Sequence, residues 1–427
     1  MKYYSTRNKN EGVSFAKAAL TGLAPDGGLF VPEQIPEYSA AVRSSFADMA
    51  FSDLAYESIQ PFLAGDIPAA ALSGIIESAF DFPCPVVKTG DGGFHILELF
   101  HGQTAAFKDF GARFMARAFS YLRRGEDKPL KILVATSGDT GGAVADGFFG
   151  IEGITVTVLY PKGRVSVLQE KQIAGLGGNI SALAVEGSFD DCQRLVKAAF
   201  ADTTLRKRME LSSANSINIA RLVPQTVYYA AAAGQMAKTG SLPVICVPSG
   251  NFGNLTAGLY TQAMGAPIYG FIAATNINKT FVDYIETGVY APRESVATIS
   301  NAMDVGAPSN FERMACHWDY KYLKATVKAA FVDDEATRAS IQAVYKRYGY
   351  ILDPHGAVGW AAAEKLMPAG GAAPVVVLET AHPAKFADEV EPLTCPVPVP
   401  PALQTVMART TNTAVIPADI DALLARL

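Results

Sequence analysis

From Lys131 onward the chain is punctuated by short apolar runs rich in Val and Ile. They are KILVAT (131–136), ITVTVLY (154–160), ISALAV (180–185), PVICV (243–247), IYGFIAAT (268–275) and PVVVL (374–378). Between several of them lie segments whose apolar residues recur at helical spacing. Runs that are apolar throughout, rather than alternating, suit strands covered on both faces. Their alternation with helices predicts an α/β fold with a largely parallel sheet and right-handed crossovers. The Ala-rich patch 230–233 reads as helix, and the less regular stretch 281–330 as an insertion.

The first 95 residues read differently. GLAPDGGLFVPEQIP (22–36) holds too many turn formers for one helix or strand. The stretch from Phe46 to Phe80 reads as helix in two pieces, broken at Pro61 and Pro68. This texture suggests an N-terminal region over 1–95, a smaller α/β unit over 96–240 and a larger one over 241–427, with interleaving of the units left open.

Composition narrows the function. The chain has 427 residues, 49% hydrophobic and 18% charged, enough for two or three domains with sizeable cores. A net charge of −5 and the absence of basic runs interleaved with aromatics argue against a nucleic-acid partner. No run is long and apolar enough for a membrane span, and no apolar stretch follows the basic start as in a secretory leader. The cytoplasm is therefore the expected compartment. Five scattered cysteines, never spaced as CxxC, argue against a disulfide framework or zinc ribbon. Five isolated histidines without HxH or HExxH spacing give no metal site.

Four segments can carry chemistry. ATSGDTGGAVADGF (135–148) follows a predicted strand and runs into a helix from about Gly141; backbone N–H groups at such a junction suit an anion, although a plain glycine-rich turn explains the sequence as well. PSGNFGNLTAG (248–258) follows another strand and opens a helix near Leu255. There Gly250 and Gly253 permit tight turning, while Asn251 and Asn254 offer unusual dihedrals or side-chain donors. It is a phosphate cradle without being a Walker loop, and no dinucleotide fingerprint occurs. In HGQTAAFKDFGARFMARAFSYL (101–122), Phe107, Phe110, Phe114, Ala118 and Tyr121 share one helical face, and Lys108 lies off that stripe at the helix start. A helix N-terminus and burial both disfavour the charged ammonium, as a nucleophilic lysine requires, but a solvated lysine is the commoner occupant of such a place. In ETAHPAKF (379–386), Thr380 places a hydroxyl at a strand end, where it suits either a ring nitrogen or a helix cap; His382 is given no role.

Together with YYSTRN (3–8), GLAPDGGLFVPEQIP (22–36) and SSANSINIAR (212–221), these motifs resemble the threonine synthase family, in its enteric-bacterial and fungal branch. The resemblance spans nearly the whole chain, in family order. It implies a fold-type II pyridoxal-phosphate enzyme, similar to the tryptophan synthase β chain. The implied reaction is γ-elimination of phosphate from O-phospho-L-homoserine followed by addition of water at the β-carbon, giving L-threonine. It implies that Lys108 is the Schiff-base lysine and acid–base group. Gly250, Asn251, Phe252, Gly253 and Asn254 would hold the cofactor phosphate, Thr380 would face the pyridine nitrogen, and Asp139 the ring. Asp139 stands where many fold-type II relatives carry Asn. Ser137, Thr140, Asn218 and Arg221 would bind the substrate, with no metal. The branch resemblance also implies a monomer. Alternatives are a serine/threonine dehydratase, which usually shows a run of glycines where this chain has SGNFGN; a phospho-lyase releasing a keto acid; and a non-catalytic binding protein, which would be expected to lack the lysine.

Overall fold

The computed structural model describes residues 1–63, 65–89, 93–367 and 373–427. All six apolar runs are strands, and they divide between two sheets. The larger sheet runs in the order Val327–Phe331, Gly270–Thr275, Val244–Pro248, Val375–Glu379, Phe94–Glu98 and Val86–Thr89, parallel except at the last pair. The smaller runs Thr413–Pro417, Ile180–Glu186, Ile154–Pro161, Leu130–Ala135 and Glu210–Ser213, parallel throughout. The strands Val244–Pro248, Gly270–Thr275 and Val375–Glu379 are buried at every residue, as parallel strands covered on both faces must be.

Sheet membership crosses the boundaries that texture suggests. Phe94–Glu98 pairs with Val375–Glu379, and Thr413–Pro417 pairs with Ile180–Glu186. The helix Pro354–Leu366 packs on the larger sheet through the fully buried Trp360, whose ring lies 5.0 Å from that of Phe94. The lysine helix, Lys108–Leu122, packs against Asp139–Phe148, with the Phe119 ring on that of Phe148, while Phe110 and Phe114 of its apolar stripe are buried against Phe80.

Two expectations are corrected. Pro61 does not break its helix, which runs Phe51–Leu63: a proline in the last turn removes only one intrahelical bond. The stretch 281–330 is not a mere insertion. It holds most of an edge strand, Val327–Phe331, and the helix Asn310–His317, and its residues 301–309 reach the cavity described below.

The N-terminal region forms a two-stranded antiparallel pair, Tyr3–Ser5 with Phe30–Pro32. It is tied to the rest by Arg313, a fully buried guanidinium. Arg313 Nε donates to Phe30 O (3.0 Å), Nη1 to Asn310 Oδ1 (2.5 Å) and Nη2 to Ile217 O (2.7 Å). Burial pulls its pKa down to about 10, so it stays charged at neutral pH. Arg313→Met fits the volume but strands these acceptors. Its expected cost is about 3 kcal/mol of unfolding free energy, read as a lower urea midpoint.

Candidate active site

Lys108 is placed by backbone bonds to the larger sheet. Phe107 N donates to Thr380 O (2.8 Å) and His382 N to Ala105 O (3.0 Å), so the start of the lysine helix is held beside the end of Val375–Glu379. Asp109 braces the turn before the helix: Oδ2 accepts from Thr104 N (2.8 Å) and Oδ1 from Thr104 Oγ1 (2.5 Å). Burial pushes the Asp109 carboxyl up to about 6 against those bonds.

The Lys108 amine lies 3.7 Å from Asp139 Oδ2. Its pKa is lowered, first by burial and then by the charges of Lys385 and Arg221, against the opposing pull of Asp139 and Asp353. Asp139 itself is crowded with donors. Lys385 Nζ lies 2.7 Å from its Oδ1, and Gln169 Nε2 donates to the same oxygen at 3.0 Å. Burial alone would raise the Asp139 carboxyl, but the ammonium groups of Lys385 and Lys108 outweigh it and hold the group well below the usual carboxylate range. Gly138 enters this helix at φ +140°, where L side chains rarely go, and a Cβ there would strike Gln169.

The loop from Gly250 to Asn254 opens the helix Gly253–Ala263. Among the described residues the backbone N–H groups of Gly250, Asn251 and Phe252 meet no acceptor, and those of Gly253 and Asn254 belong to the first helical turn, which lacks intrahelical partners. The positive φ falls on Phe252 (57°), and not on the glycines or asparagines. Both asparagine side chains turn to the protein. Asn254 Nδ2 donates to Pro248 O and its Oδ1 accepts from Ser249 Oγ and Leu255 N; Asn251 Nδ2 donates to Ser216 Oγ and its Oδ1 accepts from Ser309 N. They stiffen the loop, leaving the backbone to meet an anion. Gly250 is a glycine for closeness: a Cβ would sit 2.6 Å from Met303 Cα.

Lys108, Ser137, Asp139, Thr140, Arg221, the loop 250–254 and Thr380 line one cavity of about 190 Å³. Ser137 and Thr140 make no side-chain hydrogen bond to the described residues. Arg221 is buried, donates through Nη1 to Ala214 O, leaves Nε without an acceptor and, among the described residues, has no carboxylate within ion-pair reach; burial lowers it to about 10, against the pull of Asp109. A buried guanidinium without a contact carboxylate is a demand for an anion. Asn218 is outside the cavity lining. Its Nδ2 donates to Ala19 O and Ser213 O and its Oδ1 caps Ala220 N, so it shapes the turn that delivers Arg221 rather than facing a ligand.

Sequence reading missed a cluster beside Thr380. His355 lines the cavity; its Nδ1 donates to Asp353 Oδ1 (2.5 Å) and its Nε2 accepts from Ala302 N (3.2 Å). Behind it, burial and the neighbouring Asp353 carboxylate raise the Glu379 carboxyl well above its usual range. The adjacent DPHG (353–356) was the available signal, an aspartate capping a helix whose second residue is histidine. His382 accepts from Ala384 N, and burial lowers it to about 4, which marks it as a neutral structural group.

Three family models match the chain in succession: Threonine synthase N terminus over residues 2–80, Pyridoxal-phosphate dependent enzyme over 88–380, and Threonine synthase, C-terminal over 356–425. The threonine synthase of Escherichia coli is 44% identical over 394 residues, spanning 92% of this chain and 90% of that protein. The chain belongs to the threonine synthase family. The fold agrees along its whole length. A crystal structure of threonine synthase from Escherichia coli superposes with a TM-score of 0.93 at 41% identity, covering 100% of this chain and 99% of the other. A pyridoxal-phosphate-bound threonine synthase from Brucella melitensis gives 0.92 at 36% identity, covering 100% and 98%. Members of this family are fold-type II pyridoxal-phosphate lyases, and the cavity fits that cofactor. It offers an amine whose charged form burial disfavours for the aldehyde, unpaired N–H groups at a helix start for the phosphate, and a hydroxyl at Thr380 for the ring edge.

Crowding at Gly250 gives a direct test. Gly250→Ala must push the loop off Met303, which by the usual cost of overpacking should weaken pyridoxal-phosphate binding about 10- to 100-fold in a fluorescence titration.

Proposed function

We propose that this cavity converts O-phospho-L-homoserine and water into L-threonine and phosphate, with Lys108 as the cofactor lysine and the acid–base group. The observation that carries the reading is a pair of anion sites facing one depressed amine. The loop 250–254 takes the cofactor phosphate, and Arg221, with the hydroxyls of Ser137 and Thr140, takes the phosphate of the substrate.

When bound, pyridoxal phosphate supplies the electron sink for the electrons of a breaking C–H bond. Lys108 Nζ would hold its aldehyde group, and when not so engaged it is an amine in a poorly solvated site, placed to accept the α-proton and then move the β-proton. Asp139, 3.7 Å away, steadies the ammonium that results. Arg221 holds the departing phosphate through charge-assisted bonds. A neutral hydroxyl at Thr380 does not hold the ring nitrogen protonated as a carboxylate would, which restrains side reactions. No described helix is long and apolar enough to cross a membrane.

The test is product analysis with the purified chain. Threonine and phosphate in equal amounts support the reading, while 2-oxobutyrate in place of threonine would make the chain a phospho-lyase. Lys108→Ala should abolish turnover and the lysine-bonded cofactor absorbance. Arg221→Ala should lower kcat/KM at least about 100-fold, by the usual cost of removing a charged phosphate contact.

A further inference from the structure

We propose that Lys385 is the standing counter-ion of Asp139, a positioning residue that keeps this carboxylate charged while Lys108 gives up its own charge. The proposal rests on the reading that Lys108 bonds the cofactor. One carboxylate lies between two ammonium groups at unequal distances. Lys385 Nζ is 2.7 Å from Asp139 Oδ1 and donates to Thr104 O at 3.0 Å, with its side chain wholly buried. Lys108 Nζ is 3.7 Å from Asp139 Oδ2. Among the described residues Lys385 is in ion-pair contact with no other carboxylate, so its charge, costly to bury, has Asp139 as its contact partner while also bearing on Lys108.

Lys108 must be neutral both to bond an aldehyde and to take a proton. Were Lys108 the sole partner of Asp139, its deprotonation would strand a buried carboxylate, and Asp139 would hold the proton on the amine. With Lys385 in place, Asp139 keeps a contact partner in either state of Lys108. The charge of Lys385 also disfavours a second ammonium nearby. The ionisable groups facing Lys108 are Asp139, Lys385 and Arg221, together with Asp353 from the turn before Pro354–Leu366. On its own helix, Asp109 is engaged by Thr104. His355 faces Asp139 from beside Asp353. Of these groups other than Lys108, Lys385 is the one in ion-pair contact with Asp139.

The experiment uses the full chain loaded with pyridoxal phosphate and reads the pH midpoint of the visible absorbance change of the lysine-bonded cofactor. Lys385→Met should raise the midpoint by about one unit or more, because Asp139 then favours the proton at Lys108 alone. Asp139→Asn should lower it by a similar amount. The double variant Asp139→Asn with Lys385→Met should return close to the parent value, and Lys385→Arg should stay there. A Lys385→Met midpoint equal to the parent's, or a double variant no different from Asp139→Asn, overturns the proposal. If Lys385→Met does not fold, the comparison of Asp139→Asn with the double variant decides, since neither leaves a buried carboxylate unpaired. Lys108→Ala separates the two levels. If that variant keeps the pH-dependent band, the assignment of Lys108 fails; if the band is lost and Lys385→Met leaves the midpoint unmoved, only the role of Lys385 fails.

Discussion

The hydrogen bond from Phe107 N to Thr380 O, with its neighbours Leu99 N to Glu379 O and His382 N to Ala105 O, sets the geometry on which the site depends. These bonds hold residues 99–107 alongside 379–382, so the amine of Lys108 and the hydroxyl of Thr380 reach one cavity from two distant parts of the sequence. Backbone bonds are suited to this task because they do not depend on rotamers. The amine can therefore swing between partners while the helix beneath it stays fixed.

Around that anchor, polar side chains are used for rigidity and backbone groups for recognition. Asn251 and Asn254 turn into the protein, and Thr136 Oγ1 accepts from Gly138 N and Gly141 N to shape the turn carrying Ser137 and Asp139. Donors fixed before a ligand arrives need little reorganisation when it binds. The same economy runs through Asn310, which donates to Asn251 O, and Arg313, which holds Asn310 and the N-terminal strand together. The N-terminal region thus bears on the loop 250–254 without touching the cavity through those residues.

The sequence made the buried strands legible because each is an uninterrupted apolar run between turn formers. Strands that carry polar residues or lie at edges were not: Phe94–Glu98 contains His95 and Glu98, Glu210–Ser213 ends in serines, and Val327–Phe331 contains Lys328. Lys108, Arg221, Thr380 and the 250–254 loop stood out as candidates because local motifs carry them, and the fold brings them to one cavity. Lys385 and His355 were not found, because their meaning lies in partners such as Asp139 and Ala302, which only the folded chain brings near. Asn218 shows the converse, a polar residue inside a motif whose bonds are spent on capping.

Pairing of Phe94–Glu98 with Val375–Glu379 has a consequence for how the chain comes to be folded. During synthesis the earlier strand must wait, with one flank open, until most of the polypeptide has emerged. Such long-range closure is slow, and an unpaired apolar edge invites association with other chains. Catalytic competence therefore arrives late and all at once, when a distant segment slots in beside it, and nascent chains stalled before that moment are the ones most in need of chaperone protection.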